Sequence, residues 1–313
     1  MILCAGEALI DMLPRKTESG EAAFAPYPGG SVFNTAVALA RLGVATEFFT
    51  GLSTDLFGER LASVLTVNGV GSKLAHRADR PTTLAFVTLT DGQASYAFYD
   101  ENTAGRLLTE ADLPTIPDAT QACFFGGISL AVEPCADAYA ALAARAAQDR
   151  VVMVDPNIRP GFIADEARYR ARMDALLANA DVVKASDEDL HWLLGDATLP
   201  LLAERLRAKG PKLVLVTQGS AGVTGFHAGG EMHVPAERVK VIDTVGAGDT
   251  FNAGFLAGLA EAGALDKRRV GAGLDDDTLR SAMTLGVRAA AVTVTRAGAN
   301  PPRRADLDRA ALG

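Results

Sequence analysis

The stretch VIDTVGAGDTFNAGFLAGL, Val241 to Leu259, decides how the rest of the chain is read. Phe251, Phe255 and Leu259 recur every four residues, and Gly254 and Gly258 form a row of small residues. This spacing predicts an amphipathic helix that packs very closely. The loop before it, Gly246-Ala247-Gly248, then presents backbone N–H groups at a helix N-terminus, where the aligned peptide dipoles favour an anion. Asp249 puts a carboxylate in the same place. A dinucleotide fingerprint would need a third glycine where Phe251 stands, and a Walker-type phosphate loop would need a Gly-Lys-Ser/Thr that does not follow. An aspartate in a first helical turn also simply complements the dipole. Spacing alone does not choose among these readings.

Outward from that stretch, short apolar runs end in polar or glycine residues: ILCAG at the start, TEFFTG from Thr46, ACFFGG from Ala122, VVMVDPN from Val151, DVVKAS from Asp181 and LVLVTQG from Leu213. Helical patterns lie between several of them, among them Ser31 to Gly43, Ala138 to Gln148 and Asp165 to Ala180. Continuous apolar strands alternating with helices predict an α/β sandwich around a mostly parallel sheet. Ligands of such sheets sit beyond the carboxyl ends of the strands. Gly126 and Gly127, Asp155 and Asn157, Lys184 and Ser186, and Thr217 and Gly219 all stand there, although strands also need polar exits for purely structural reasons. The segment from Thr83 to Asp100 breaks the rhythm. It reads as two strands around an Asp91-Gly92 turn, with Leu84 and Phe86 alternating with Ala85, Val87 and Leu89. A hairpin apolar on both faces must be covered twice, by a ligand on one side and a partner subunit on the other, unless it packs at the edge of the core.

Bulk properties exclude several classes of function. The 313 residues carry a formal net charge of −8 with 49% hydrophobic composition, and the pI is near 5.1. Without a Lys/Arg cluster, nucleic acid is not the expected partner. No apolar run approaches the roughly 18 residues of a membrane span, and Glu7 and Asp11 interrupt any signal-peptide core. Cys4, Cys123 and Cys135 lack zinc or redox spacing and are expected to be reduced core or surface thiols in the cytoplasm. The four histidines show no ligand pattern, and His227 and His233, flanking Gly229-Gly230, are expected at the surface.

Asp243 to Phe251, in the form D-T-x-G-A-G-D-[TS]-F, resembles the C-terminal signature of the ribokinase-like (PfkB) carbohydrate kinases. GEALID at Gly6 to Asp11 and PGGSVFNTAVALARLG at Pro28 to Gly43 resemble the family's N-terminal features, and the order of elements agrees over essentially the whole chain. The resemblance implies one three-layer ribokinase-like domain over 1–313 with a small β-sheet lid formed by segments about 12–28 and 80–102. It implies transfer of the γ-phosphoryl of ATP to a sugar hydroxyl, with magnesium as cofactor.

Residue by residue, the resemblance makes Asp249 the base facing the acceptor hydroxyl and the N–H groups of Gly246, Ala247 and Gly248 the holders of the moving charge. In a loose phosphoryl-transfer transition state the proton leaves late, so a weak base suffices. Asp11, Gly29, Gly30 and Asn34, with Phe98 from the lid and Asn157, match sugar-contacting positions. The Asp155-Pro156-Asn157-Ile158-Arg159 stretch resembles that of fructokinases and ketodeoxygluconate kinases, where Arg159 would lie near the phosphates or the sugar. Thr217, Gly219 and Gly222 resemble the nucleotide-binding turn, with Lys184 and Ser186 on the same side. Asp243, with carbonyls near Val245 and Arg296 to Gly298, matches the monovalent-cation site of some members, which implies K+.

Two departures stand out. The usual N-x-x-E motif is here Ser186-Asp187-Glu188-Asp189, closer to the K-x-S-x-x-E form, so either Glu188 or Asp189 would face the magnesium waters. Phe33 either walls the sugar site or points into the core. Fructose is the expected substrate, with 2-keto-3-deoxygluconate or ribose as alternatives. A sugar sensor without catalysis and a dinucleotide-dependent oxidoreductase are the competing classes. The lid is expected to join two copies into a homodimer and, on closing, to make ATP turnover depend on sugar.

Overall fold

The apolar runs fold into strands whose alternate residues face opposite layers, and this builds the centre of the molecule. The computed structural model describes residues 1–90 and 93–310; the Asp91-Gly92 turn and the Leu89 side chain lie outside the described part. The first half runs β1 (Ile2–Ala5), β2 (Leu9–Lys16), β3 (Ala22–Gly29), α1 (Ser31–Arg41), β4 (Thr46–Phe49), β5 (Gly51–Ser53), α2 (Leu56–Val67), β6 (His76–Ala78), β7 (Leu84–Thr90), β8 (Gln93–Tyr99), β9 (Ala122–Gly126), α3 (Cys135–Ala146) and β10 (Val151–Asp155). The second half runs α4 (Glu166–Asn179), β11 (Val182–Ser186), α5 (Asp187–Leu194), α6 (Leu199–Arg207), β12 (Leu213–Thr217), β13 (Val223–His227), β14 (Gly230–Val234), α7 (Ala247–Glu261), α8 (Lys267–Ala272), α9 (Asp276–Val294) and α10 (Arg304–Ala310).

Eight strands form the main sheet in the order β14-β13-β12-β11-β10-β9-β1-β4. The six predicted from apolar runs, β12 through β4 in that order, pair in parallel. Ile2 and Cys4 point into one layer with α1, α7 and α9. Leu3 and Ala5 point into the other with α3, α4 and α6. The result is the expected three-layer α/β sandwich, and Phe33 settles into its core, 2% exposed and edge-on to Phe48. All three cysteines are free and buried.

The antiparallel hairpin β13–β14 at the sheet edge is not among the predicted runs. Its residues alternate, with Met232 and Val234 buried and Glu231 and His233 exposed, and this half-polar pattern gives no continuous apolar run to detect. Of the two histidines expected at the surface, His233 is exposed, while His227 is mostly covered and lies 4.0 Å from Asp276. The helix after Gly246 also differs from expectation. Rather than amphipathic, α7 is buried on every side from Asp249 to Leu259, because it is wedged between α1 and α9. Its small residues make that possible: a Cβ on Gly254 would stand 2.6 Å from the Cα of Gly286, and one on Gly258 2.6 Å from the Cα of Ala282.

A second sheet of four strands, ordered β3-β2-β7-β8, is drawn from two stretches of the first hundred residues. Asp11 pairs with Tyr27 and with Ala85, and Ala85 with Phe98, so these four residues share one face. The opposite face carries Phe24, Phe86 and Tyr99, stacked edge to face at 5.0 and 5.4 Å. Phe24 and Tyr99 are 42% and 63% exposed.

Candidate active site

Two helix N-termini meet over the carboxyl ends of the main strands. The first, of α1, begins at Gly30 with φ of 108°, and the second, of α7, begins at Gly246 with φ of 78°. Both values fall in the left-handed region that a side chain resists. Asp249 stands at the junction, only 8% exposed. Its Oδ1 accepts a hydrogen bond from the Ser31 hydroxyl at 2.7 Å, and its Oδ2 accepts one from the Asn34 amide at 2.9 Å. The Thr35 hydroxyl donates to its backbone carbonyl. Burial pushes the Asp249 carboxyl up to about 6; Ser31 and Asn34 pull the other way, Asp155 adds to the rise and Lys184 opposes it. The first-turn amides of Gly248 and Asp249 have no carbonyl one turn back, whereas Ala247 N–H donates to the Thr244 carbonyl at 3.2 Å.

Asp11 reaches in from the small sheet, and burial, then the charge of Asp249, pushes it up to about 6. Gly29 makes room for it, since a Cβ there would strike the Asp11 carboxylate. Asp11, Gly29, Gly30, Asn34 and Asp249 are therefore brought together. Phe98 projects from the same face of the lid and meets Phe162, 4.1 Å between ring centroids.

Beneath the α7 N-terminus lies a buried polar network. Lys184 Nζ donates to Asp155 Oδ2 at 3.0 Å, the Asn252 amide donates to the same oxygen at 2.7 Å, and Asp155 is fully buried. Burial alone would lower Lys184, but the Asp155, Asp189 and Asp249 carboxylates outweigh it and hold the ammonium above its ordinary value. A Cβ on Gly248 would stand 3.2 Å from Lys184 Nζ, which places this cation directly against the anion-binding turn.

A cleft of about 420 Å³ opens beside the network and brings Asn157, Arg159, Lys184, Ser186, Glu188 and Asp189 together. Asn157 adopts φ of 42°. Arg159 is exposed and donates to the Ile158 carbonyl. The two acids divide. Asp189 accepts from Ile158 N–H at 2.9 Å and from Ser186 N–H at 3.2 Å, so both its oxygens serve backbone, whereas Glu188 is exposed on the cleft.

A larger cavity of about 560 Å³ touches the same turn from the other side. Thr217, Gly219, Gly222, Ala247 and Gly248 line it, with Val241, Phe251 and Val294 among the apolar walls. Its mostly apolar lining with a few polar groups suits a planar base, and its contact with the α7 N-terminus suits an attached phosphate chain. Asp243 accepts N–H bonds from Val245 at 3.0 Å and Gly298 at 2.8 Å, pinning the loop before the turn to the one after α9.

Several residues of this site are absent from the sequence reading. Ser31 bonds the carboxylate of a residue 218 positions away, and its only signal in the sequence is a hydroxyl following the glycine pair. Phe162 sits in a short turn, Pro160–Phe162, with no periodicity to mark it. Glu7 is half-buried behind the glycine pair; desolvation lifts it to about 7 against its backbone donors.

Comparison with known proteins agrees with this geometry. The chain is 52% identical over 281 residues to a fructokinase of Rhizobium leguminosarum bv. trifolii, covering 90% of this chain and 86% of that one. It superposes on a fructokinase of Xylella fastidiosa with bound ATP at a TM-score of 0.87, with 31% identity over 100% of this chain and 99% of that one. A fructokinase of Vibrio cholerae O395 with bound fructose, ADP and calcium superposes at 0.86, with 27% identity over 98% and 97% of the two chains. The family model for pfkB carbohydrate kinases matches residues 1–306. With that match added to two converging helix N-termini and a buried aspartate between them, the chain belongs to the pfkB family of carbohydrate kinases.

Proposed function

We propose that this protein transfers the γ-phosphoryl of ATP to fructose, giving fructose 6-phosphate, with Asp249 as the base. One observation carries the reading: a buried carboxylate stands at the junction of a lid-covered polar pocket and an anion-binding turn, in a chain half identical to a fructokinase. Fructose lies under the lid sheet, its hydroxyls bonded by Asp11 and Asn34 and its ring covered by Phe98. Its 6-hydroxyl donates to Asp249, which orients the oxygen and accepts the proton late, as a loose transition state requires. A carboxyl near 6 is ionised at neutral pH yet basic enough to take that proton. ATP occupies the 560 Å³ cavity. The amides at the start of α7, with Lys184 behind them, face the transferring group, where preorganised donors act on developing charge.

Magnesium, bound with ATP, would neutralise charge on the β- and γ-phosphates. Glu188 is the acid to hold its waters, since Asp189 is spent on backbone, and magnesium commonly touches few protein groups. Carbonyls near Val245 and Arg296 to Gly298 would hold K+, with Asp243 ordering their loops through the backbone N–H bonds that both its oxygens accept. Three buried free thiols fit a reducing, cytoplasmic setting; among the described residues, no helix is long and apolar enough to cross a membrane. The exposed aromatic face of Phe24, Phe86 and Tyr99 is the surface through which two copies pair. Phe24→Glu with Tyr99→Glu should turn a dimer into a monomer in sedimentation at micromolar concentration; a parent that is already monomeric removes this pairing.

The test of function is ADP release with magnesium and ATP across fructose, 2-keto-3-deoxygluconate, ribose, glucose and adenosine. Turnover selective for fructose, and absent without sugar, is expected. A different preferred sugar overturns the substrate, and tight fructose binding without any turnover would make the protein a sensor.

A further inference from the structure

We propose that Glu7 is a positioning residue for phosphoryl transfer: its carboxylate anchors the first turn of α1, so that Ser31 and Asn34 grip the two oxygens of Asp249. The inference rests on the reading of Asp249 as the base. Glu7 follows β1 at the place where the order of the parallel sheet reverses, with β4 on one side of β1 and β9 on the other. This is the crevice at which open sheets bind ligands, yet Glu7 is turned inward. Its Oε1 accepts N–H bonds from Ser31 at 2.8 Å and Val32 at 3.4 Å, and its Oε2 accepts from Ser129 N–H at 3.3 Å. One carboxylate thus ties the start of α1 to the turn that follows β9.

The surrounding backbone is moulded to it. A Cβ on Gly30 would stand 2.8 Å from the Glu7 carbonyl, and one on Gly127 would strike its carboxylate. An anion is suited to the position, because first-turn amides at a helix N-terminus lack carbonyl partners and carry positive potential. The chain of contacts is short: Glu7 holds Ser31 by its backbone, and Ser31 holds Asp249 by its side chain. A carboxylate gripped on both oxygens cannot rotate away from the incoming hydroxyl, and positioning of this kind contributes directly to rate.

The test compares Glu7→Gln, Ser31→Ala, the double variant and Asp249→Asn in steady-state kinetics with fructose and ATP at pH 8. Glutamine keeps the size of Glu7 but turns an N–H₂ toward a backbone donor. Ser31→Ala removes only a hydroxyl, so this variant remains informative if the Glu7 replacement fails to fold. Each single variant should lower kcat by about tenfold, the scale of one hydrogen bond to a charged group, with the KM for ATP unchanged. The double variant should fall no further than Glu7→Gln alone, because both act through one contact.

Ser31→Ala should also move the acid limb of the rate profile to higher pH, since it removes a donor that favours the ionised base. Asn34, Asp155, Lys184, Asp11 and Glu7, the other groups facing Asp249, are unchanged in that variant. Losses that multiply to about a hundredfold, or a folded Ser31→Ala with parental kcat and acid limb, overturn the inference while an inactive Asp249→Asn leaves the base in place. An active Asp249→Asn overturns the base and the inference together.

Discussion

Replacing Lys184 by methionine separates what the buried pair does for the fold from what it does for chemistry. Asp155 is 0% exposed and shares its Oδ2 between Lys184 at 3.0 Å and Asn252 at 2.7 Å. Deleting the ammonium leaves a buried carboxylate with amide donors only, which costs about 3–5 kcal/mol. Adding Asp155→Asn removes the stranded charge and should recover most of that loss, as buried pairs exchanged for neutral groups commonly do.

Catalysis should not recover with stability. Lys184 lies against Gly248, where the proposed reading brings the phosphoryl group, and losing a preorganised positive group there should lower kcat by about a hundredfold or more. The two changes act in opposite directions on Asp249, since Asp155 raises its carboxyl and Lys184 lowers it. What remains in the double variant is the direct action on phosphate. Urea unfolding monitored by tryptophan fluorescence, alongside ADP release, reads both effects. Recovery of activity together with stability would refute the phosphate role of Lys184. A destabilisation by the single change below about 1 kcal/mol would refute the closed buried pair.

Two further outcomes are expected. For the parent, kcat/KM should fall at least tenfold per pH unit below about 6, because Asp249 must be ionised to accept a proton and its carboxyl is raised to about 6, with Asp11 and Glu7 raised to about 6 and about 7 beside it; an acid limb near 4 would contradict the buried environment of the base. Phe162→Ala should raise the KM for sugar several-fold while leaving that for ATP unchanged, since Phe162 meets Phe98 on the lid and lies outside the nucleotide cavity; equal effects on both substrates would mean that the aromatic contact holds the fold rather than the lid.

Legibility in the sequence follows the range of the interaction. The six parallel strands announce themselves as apolar runs because both their faces are buried. The glycine row of α7 correctly predicts close packing, but not that packing comes from two sides, since Gly286 and Ala282 lie on α9, far along the chain. The β13–β14 hairpin, half exposed, gives only a weak alternation. In the site, Asp249, Asn34 and Asp11 were readable through their motifs. Ser31, Glu7 and Phe162 were not, because each matters through contacts with residues distant in the chain, and nothing in their local spacing encodes those partners. Distance also hides the cavity wall, which joins Val241 and Phe251 to Val294.

Backbone lies against backbone where Gly254 meets Gly286 and Gly258 meets Ala282, so α7 has no freedom to accept a larger residue on that side or to slide along α9. On the proposed assignment, the atoms that face the transferring phosphoryl are inherited as a block, and a lineage that alters them loses the helix. The lid sheet is under no such restriction. It offers Asp11, Tyr27 and Phe98 as separate side chains on one face, outside the close seam between α7 and α9. With the sugar seated under the lid as proposed, descendants of such a chain can change which sugar they accept one lid residue at a time, while the transfer chemistry stays as it was.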